Sequence, residues 1–274
     1  MNSIIDTLTV LLPVLYFAAV WIYGESFFRD NATATKLKTP LFVIILVVHI
    51  FYLIARTIEF DHPPITTIFE ILTAVAFALA ISYRIIEFQT QIKNTGFFVL
   101  SVALVFQTIS SLFIVDLLEV KPILRSNLLG FHVLSAISGL SAFAISAVYG
   151  ILYLMLYHNL KKNRFGLIYE KLPNLEKLER MAMVAIATGF TLLTVAIFIG
   201  SVWLVRAVEN YSLMDPKLIG TIVVWLVYGA GLFGKRNFGW KGRRVMVLSI
   251  TGFAVSFLSL TLINVYLSGF HNFF

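Results

Sequence analysis

Lys121–Ala142 reads KPILRSNLLGFHVLSAISGLSA: a short polar loop, then a long apolar helix, with His132 at the point of entry. Ser135, Gly139, Ala142, Ser146 and Gly150 follow at helical spacing and form one stripe of small side chains. Such a stripe lets a neighbouring helix backbone approach closely, which is how helices pack inside a membrane. His132 therefore caps a buried helix face. Locally it reads either as a ligand or as an interfacial histidine hydrogen-bonded to a loop carbonyl.

The rest of the chain agrees with a membrane reading. Of its 274 residues, 59% are hydrophobic and only 13% charged, with a mean hydropathy of +0.90. An ordinary soluble domain carries about 25% charged residues. There is no cysteine, so disulfides, thiolate metal sites and thiol redox chemistry are excluded for this chain by itself. Apolar runs long enough to cross ~30 Å of hydrocarbon lie near 7–27, 40–56, 65–87, 96–118, 128–157, 181–206, 217–234 and 245–268. The expected fold is all-α: a polytopic bundle of eight transmembrane helices forming one domain over 1–274. The first run lacks a basic leader and a small-residue cleavage site and reads as a retained helix. Asn163 to Arg180, with its alternating Glu and Lys, reads as a linker containing a short amphipathic helix after Pro173. No internal repeat, phosphate-binding glycine loop or hydrolase spacing is present.

Basic residues set the orientation. Of the 21 Lys and Arg, 16 fall in the loops after helices one, three, five and seven, and five in the loops after two, four and six. The positive-inside rule makes the first set cytoplasmic. Both termini then lie outside, together with His62, His132, His271 and the loop from Arg206 to Lys217. The runs Lys161, Lys162, Arg164 and Lys235, Arg236, Lys241, Arg243, Arg244 read as topology anchors that touch anionic membrane lipid.

His49 stands in the middle of LFVIILVVHIFYLIAR, where a polar side chain is costly unless it faces the protein interior and finds a partner. Arg56 shares its helix face, and Arg56, Glu59 and Glu70 cluster around the Pro63-Pro64 turn, as a structural ion-pair group or as part of a site. His132 and His271 each lie at the outer end of a helix. Two histidines at one face can coordinate one metal. Without cysteine or an acidic cluster, bis-histidine ligation of haem iron fits better than zinc, which usually wants three or four protein ligands. Arg56, Arg125, Arg206 and Lys217 map to the same side as cations for the propionates.

Four segments resemble the cytochrome c assembly proteins (CcsA, CcmC and HemX-like). RTIEFDHPPITTIFE at 56–70 resembles their Arg…Pro-Pro…Asn-x-Tyr-Glu turn, and LRSNLLGFHV at 124–133 the segment with their first outer haem-ligating histidine. DPKLIGTIVVWLVYG at 215–229 is similar to the end of their tryptophan-rich haem loop and the helix after it. GWKGRR at 239–244 and NVYLSGFHNFF at 264–274 match their ending with the second outer histidine. The resemblance implies a b-type haem (heme b) held between His132 and His271. It also implies a platform at Tyr211, Met214 and Asp215, and a membrane partner subunit that guides apocytochrome c. The chain is then at most a subunit of a haem-attachment system in a bacterial cytoplasmic membrane. Tyr211 and Met214 stand where the family has indoles, and Phe233 where a further histidine is common. That pattern is the HemX-like one, whose implied role is as a non-catalytic accessory of tetrapyrrole synthesis. A small transporter with His49 in its pathway is the third reading. Independently of the resemblance, Asp215 before Pro216 is placed as a helix N-cap.

Overall fold

The computed structural model describes residues 2–116, 126–207, 212 and 214–266. The described residues form helices and connecting turns: α1 (Asn2–Phe28), α2 (Ala32–Phe60), α3 (Ile68–Thr90), α4 (Gly96–Phe113), α5 (Asn127–Lys161), α6 (Leu167–Lys171), α7 (Leu175–Ala207), α8 (Pro216–Phe238) and α9 (Arg243–Tyr266). In hydrocarbon every backbone polar group must be satisfied within the chain, and helices do this segment by segment. Seven of them, α1 to α5, α7 and α8, are long and apolar enough to cross a membrane. The protein is thus an all-helical, polytopic membrane protein. The eighth expected span coincides with α9, which has 24 residues.

The chain divides into two compact units, Met1–Gly130 and Phe131–Phe274. In the first, α1 packs on α2 and α4, and α3 packs on α4. The buried face of α1 is Ile5, Leu8, Leu12, Tyr16, Ala19, Tyr23 and Phe27, at three- and four-residue steps, while Val10, Val14, Phe17 and Trp21 are exposed. Polar rungs join α1 to its neighbours at three levels seven residues apart. The Thr9 and Tyr52 hydroxyls meet at 3.2 Å, Tyr16 meets His49 at 3.0 Å, and the Tyr23 hydroxyl donates to Glu87 Oε1 at 3.0 Å. Tyr23 lies so close over Gly96 that no Cβ fits there.

Three boundaries differ from the expected ones for local reasons. Helix α2 begins eight residues before Pro40, because the Asn31 side chain accepts from the Thr33 and Ala34 amides at 3.0 and 3.2 Å. Helix α4 stops at Phe113, and Ile114 turns extended with ψ 135°, which brings Asp116 to Arg56. No separate helix follows Pro173. The Asn174 side chain accepts from Lys177 N at 2.9 Å, and residues 175–180 are the opening turns of α7.

The second unit is organised on α5, the most buried of the seven spans. A Cβ on Gly139 would stand 3.1 Å from Gly189 O and from Leu193 N of α7, and one on Gly150 would stand 3.1 Å from Met246 O of α9. Between them, Ser249 Oγ donates to Ser146 Oγ at 2.8 Å. The small stripe after His132 therefore receives two helices at different levels. Phe143 stacks flat on Tyr228 of α8, with centroids 3.6 Å apart. At the other end of this unit Glu179 accepts from Lys235 Nζ at 2.9 Å and from Gly242 N at 2.7 Å, tying α7 to the end of α8 and the turn before α9.

Candidate functional site

His132 sits in the second turn of α5 and is half-buried. Its Nδ1 lies 2.8 Å from the carbonyl oxygen of Ala196 on α7. A carbonyl can only accept, so Nδ1 carries a proton, and in the neutral ring the lone pair is then on Nε2. The ring rests on Gly200, whose absent Cβ would fall 2.6 Å from His132 Cε1 and Nδ1. The partner is thus a helix carbonyl and not a loop carbonyl. A histidine fixed by a backbone carbonyl through one nitrogen is the usual state of a metal-ligating imidazole. Three residues beyond Gly200, Trp203 is 5% exposed, and its indole N–H has no hydrogen-bond partner among the described residues.

Helix α7 ends and α8 begins at the same end of this unit as the start of α5. Asp215 directly precedes Pro216, the first residue of α8, and Ile219 N donates to Asp215 O at 3.1 Å. Asp215 is buried and Met214 is 77% exposed. Arg206 is exposed at the end of α7. His271, Tyr211 and Arg125 lie outside the described residues.

In the first unit, His49 is fully buried and both ring nitrogens are engaged. Thr73 Oγ1 donates to Gln107 Oε1 at 2.8 Å, so it accepts from His49 Nε2–H at 3.1 Å. His49 Nδ1 must then accept from the Tyr16 hydroxyl at 3.0 Å. Gln107 Nε2 passes the chain on to Ser111 Oγ at 3.0 Å. This line takes one or more members from each of α1 to α4 and holds His49 in the tautomer opposite to that of His132. As placed, it is a fully paired interior histidine.

Arg56 is 1% exposed and lies 4.8 Å over the Phe60 ring. Nη2 donates to Glu70 Oε1 at 3.1 Å and Nη1 to Asp116 Oδ1 at 2.9 Å. Glu70 Oε2 in turn accepts from Thr66 N at 2.8 Å and Thr66 Oγ1 at 2.6 Å. Thr67 and Glu70 close a capping box that starts α3. The turn after Pro63-Pro64 is therefore built around one buried carboxylate. The second carboxylate on Arg56 is Asp116 and not Glu59. Nothing in the sequence announces a pairing across 60 positions. Gly200 had a legible signal, being one of two glycines in the apolar helix α7, whereas the Ala196 carbonyl had none.

Among the described residues no three His, Asp or Glu side chains gather as a metal site. What the fold and these sites define is a polytopic helical membrane protein with histidines set at helix–helix contacts, one of them bonded through Nδ1 to a helix carbonyl. The chain belongs to the cytochrome c assembly protein family, whose model matches residues 65–271. It is 28% identical over 237 residues to cytochrome c biogenesis protein CcsA of Guillardia theta, covering 80% of this chain and 79% of that one. It is similarly 27% identical to protein HemX of Brevibacillus brevis, covering 80% of this chain and 81% of the relative. To protein HemX of Bacillus subtilis it is 26% identical, over 90% of this chain and 93% of the relative. The family resemblance read from the four segments is confirmed.

Proposed function

We propose that this chain handles haem for cytochrome c maturation, holding a b-type haem at the outer membrane face between His132 and His271 of the second unit. Family membership supports the process, and the observation that carries the site is the Nδ1–H of His132 given to Ala196 O. That bond leaves Nε2 as the atom able to ligate iron and orients the ring before any ligand arrives. Bound haem supplies an iron centre and a vinyl-bearing porphyrin for attachment to the apocytochrome. The chain's own residues bind and orient. Arg206, exposed at the end of α7, suits a propionate. Tyr211, Met214 and Asp215 flank the porphyrin face, with Asp215 also starting α8. Arg125, outside the described residues, is a further cation, whereas Arg56 is committed to Glu70 and Asp116 and acts first as a structural cation. In this reading both termini are outside, α9 is the eighth span, the membrane is the bacterial cytoplasmic one, and a partner subunit guides the apocytochrome.

The test is the visible spectrum of the purified protein. His132→Ala and His271→Ala should each lower haem retention, while His158→Ala should not. Equal loss from all three would refute ligation. A second reading, a HemX-type accessory of tetrapyrrole synthesis, is favoured by the eroded aromatic loop and is in keeping with the HemX proteins among the similar chains. A colourless protein whose haem content ignores all three substitutions supports it.

A further inference from the structure

We infer that Gly200 is a positioning residue that selects the iron-ligating nitrogen of His132, and that this nitrogen is Nε2. The metal's identity rests on the haem reading above; the choice of tautomer does not. In an α-helix the Ala196 carbonyl already accepts from the amide four residues on, which is Gly200. A second donor must come in from the side, past the position where residue 200 would carry its Cβ. The Nδ1–Cε1 edge of His132 occupies that position, 2.6 Å from where a Cβ would stand, and Nδ1 thereby reaches Ala196 O at 2.8 Å. Real Cβ atoms do not tolerate such approaches, and the atoms met here belong to a stiff ring and not to the end of a flexible chain. Any side chain at 200 evicts the imidazole from the carbonyl and releases it to the other tautomer or another rotamer. The neighbouring Ser201 is exposed and bonds its own helix at Ile197 O, 2.8 Å, so the requirement is confined to one position. Gly200 thus does more than permit close helix packing: it exposes one backbone carbonyl as the acceptor that orients the ligand.

The test compares Gly200→Ala with Gly231→Ala. The latter introduces a Cβ 2.6 Å from Leu248 Cδ2 at the α8–α9 contact, an encroachment of the same size away from His132. Ring ¹⁵N NMR of the metal-free protein should show His132 as Nδ1–H in wild type and Gly231→Ala, and not in Gly200→Ala. Titrated with haemin, Gly200→Ala should bind roughly 10–100-fold more weakly, the usual loss when a ligating histidine loses its supporting acceptor. Its remaining complex should shift from low-spin towards high-spin, and Gly231→Ala should not. An Nε2–H tautomer in the wild type overturns the inference without any variant. So does a Gly200→Ala protein with unchanged tautomer and spectrum, or equal effects from the two alanines. Haemin binding that ignores His132→Ala would instead refute the haem reading, while the ¹⁵N result still decides the tautomer.

Discussion

Replacing Thr73 by Val tests whether the line from Tyr16 to Ser111 holds the first unit together. Valine keeps the shape of threonine, so the α2–α3 packing persists while one hydroxyl disappears. That hydroxyl is the hinge of the line: it accepts from His49 Nε2–H at 3.1 Å and donates to Gln107 Oε1 at 2.8 Å. Thr73 and both partners are fully buried, so no water replaces it. Interhelical hydrogen bonds in lipid average ~0.6 kcal/mol and reach at most ~1.7 kcal/mol, because the unfolded chain also finds partners. Two such bonds are lost, which gives roughly 1–3 kcal/mol of destabilisation. The assay is reversible unfolding in mixed micelles, run on Thr73→Val, Gln107→Leu and the double variant. The two singles should fail to add, since each breaks the same bond. A Thr73→Val protein as stable as wild type, or strict additivity, would refute the hydrogen-bonded line and leave His49 as a histidine held only by packing. Ring ¹⁵N NMR should in addition report His49 as Nε2–H.

Glu70→Ala should cost about 3–5 kcal/mol, because it strands a buried guanidinium and two donors at Thr66; Asp116→Asn, whose side chain is 43% exposed, should cost no more than ~1 kcal/mol. Equal losses in the same unfolding assay would overturn this division of labour. Trp203→Phe should leave stability unchanged or raise it, since no bond to the indole N–H is lost among the described residues and burying an unmatched donor costs about 1–3 kcal/mol; a clear drop in melting temperature would expose a partner. Reporters fused after α5 and at the C-terminus should lie on opposite sides of the membrane, the first in the cytoplasm, as the distribution of Lys and Arg requires; the same side for both would separate His132 from His271 and end the haem pair.

The helices were legible wherever apolar length decided them, and the small stripe of α5 was legible because glycine and serine at helical spacing have few other uses in a membrane. Boundaries set by single polar groups were not. The residues before Pro40 look like loop until Asn31 is seen capping them, and the apolar run of α4 gives no sign that the chain leaves the helix at Ile114 so that Asp116 can reach Arg56. His49 was legible as a residue in need of a partner, but the identity of those partners depends on which faces of α1, α3 and α4 meet it. The partner of His132 was beyond reach for a different reason: it is a backbone carbonyl, which every residue possesses, and only the gap left by Gly200 singles it out.

The rungs on α1 bear on the order in which the protein assembles. Tyr16 finds its partner 33 residues later on α2, Thr9 finds Tyr52 43 residues on, and Tyr23 waits 64 residues for Glu87 on α3. During synthesis α1 therefore sits in the bilayer with two tyrosine hydroxyls unmatched, the Thr9 hydroxyl being bonded to Ile5 O of its own helix at 2.9 Å; it pairs at two levels when α2 arrives and closes the third only after α3 has been inserted. Until then only its Tyr23 end lacks its partner, and a ribosome stalled between α2 and α3 should leave α1 accessible to cross-linkers at Tyr23 but not at Tyr16.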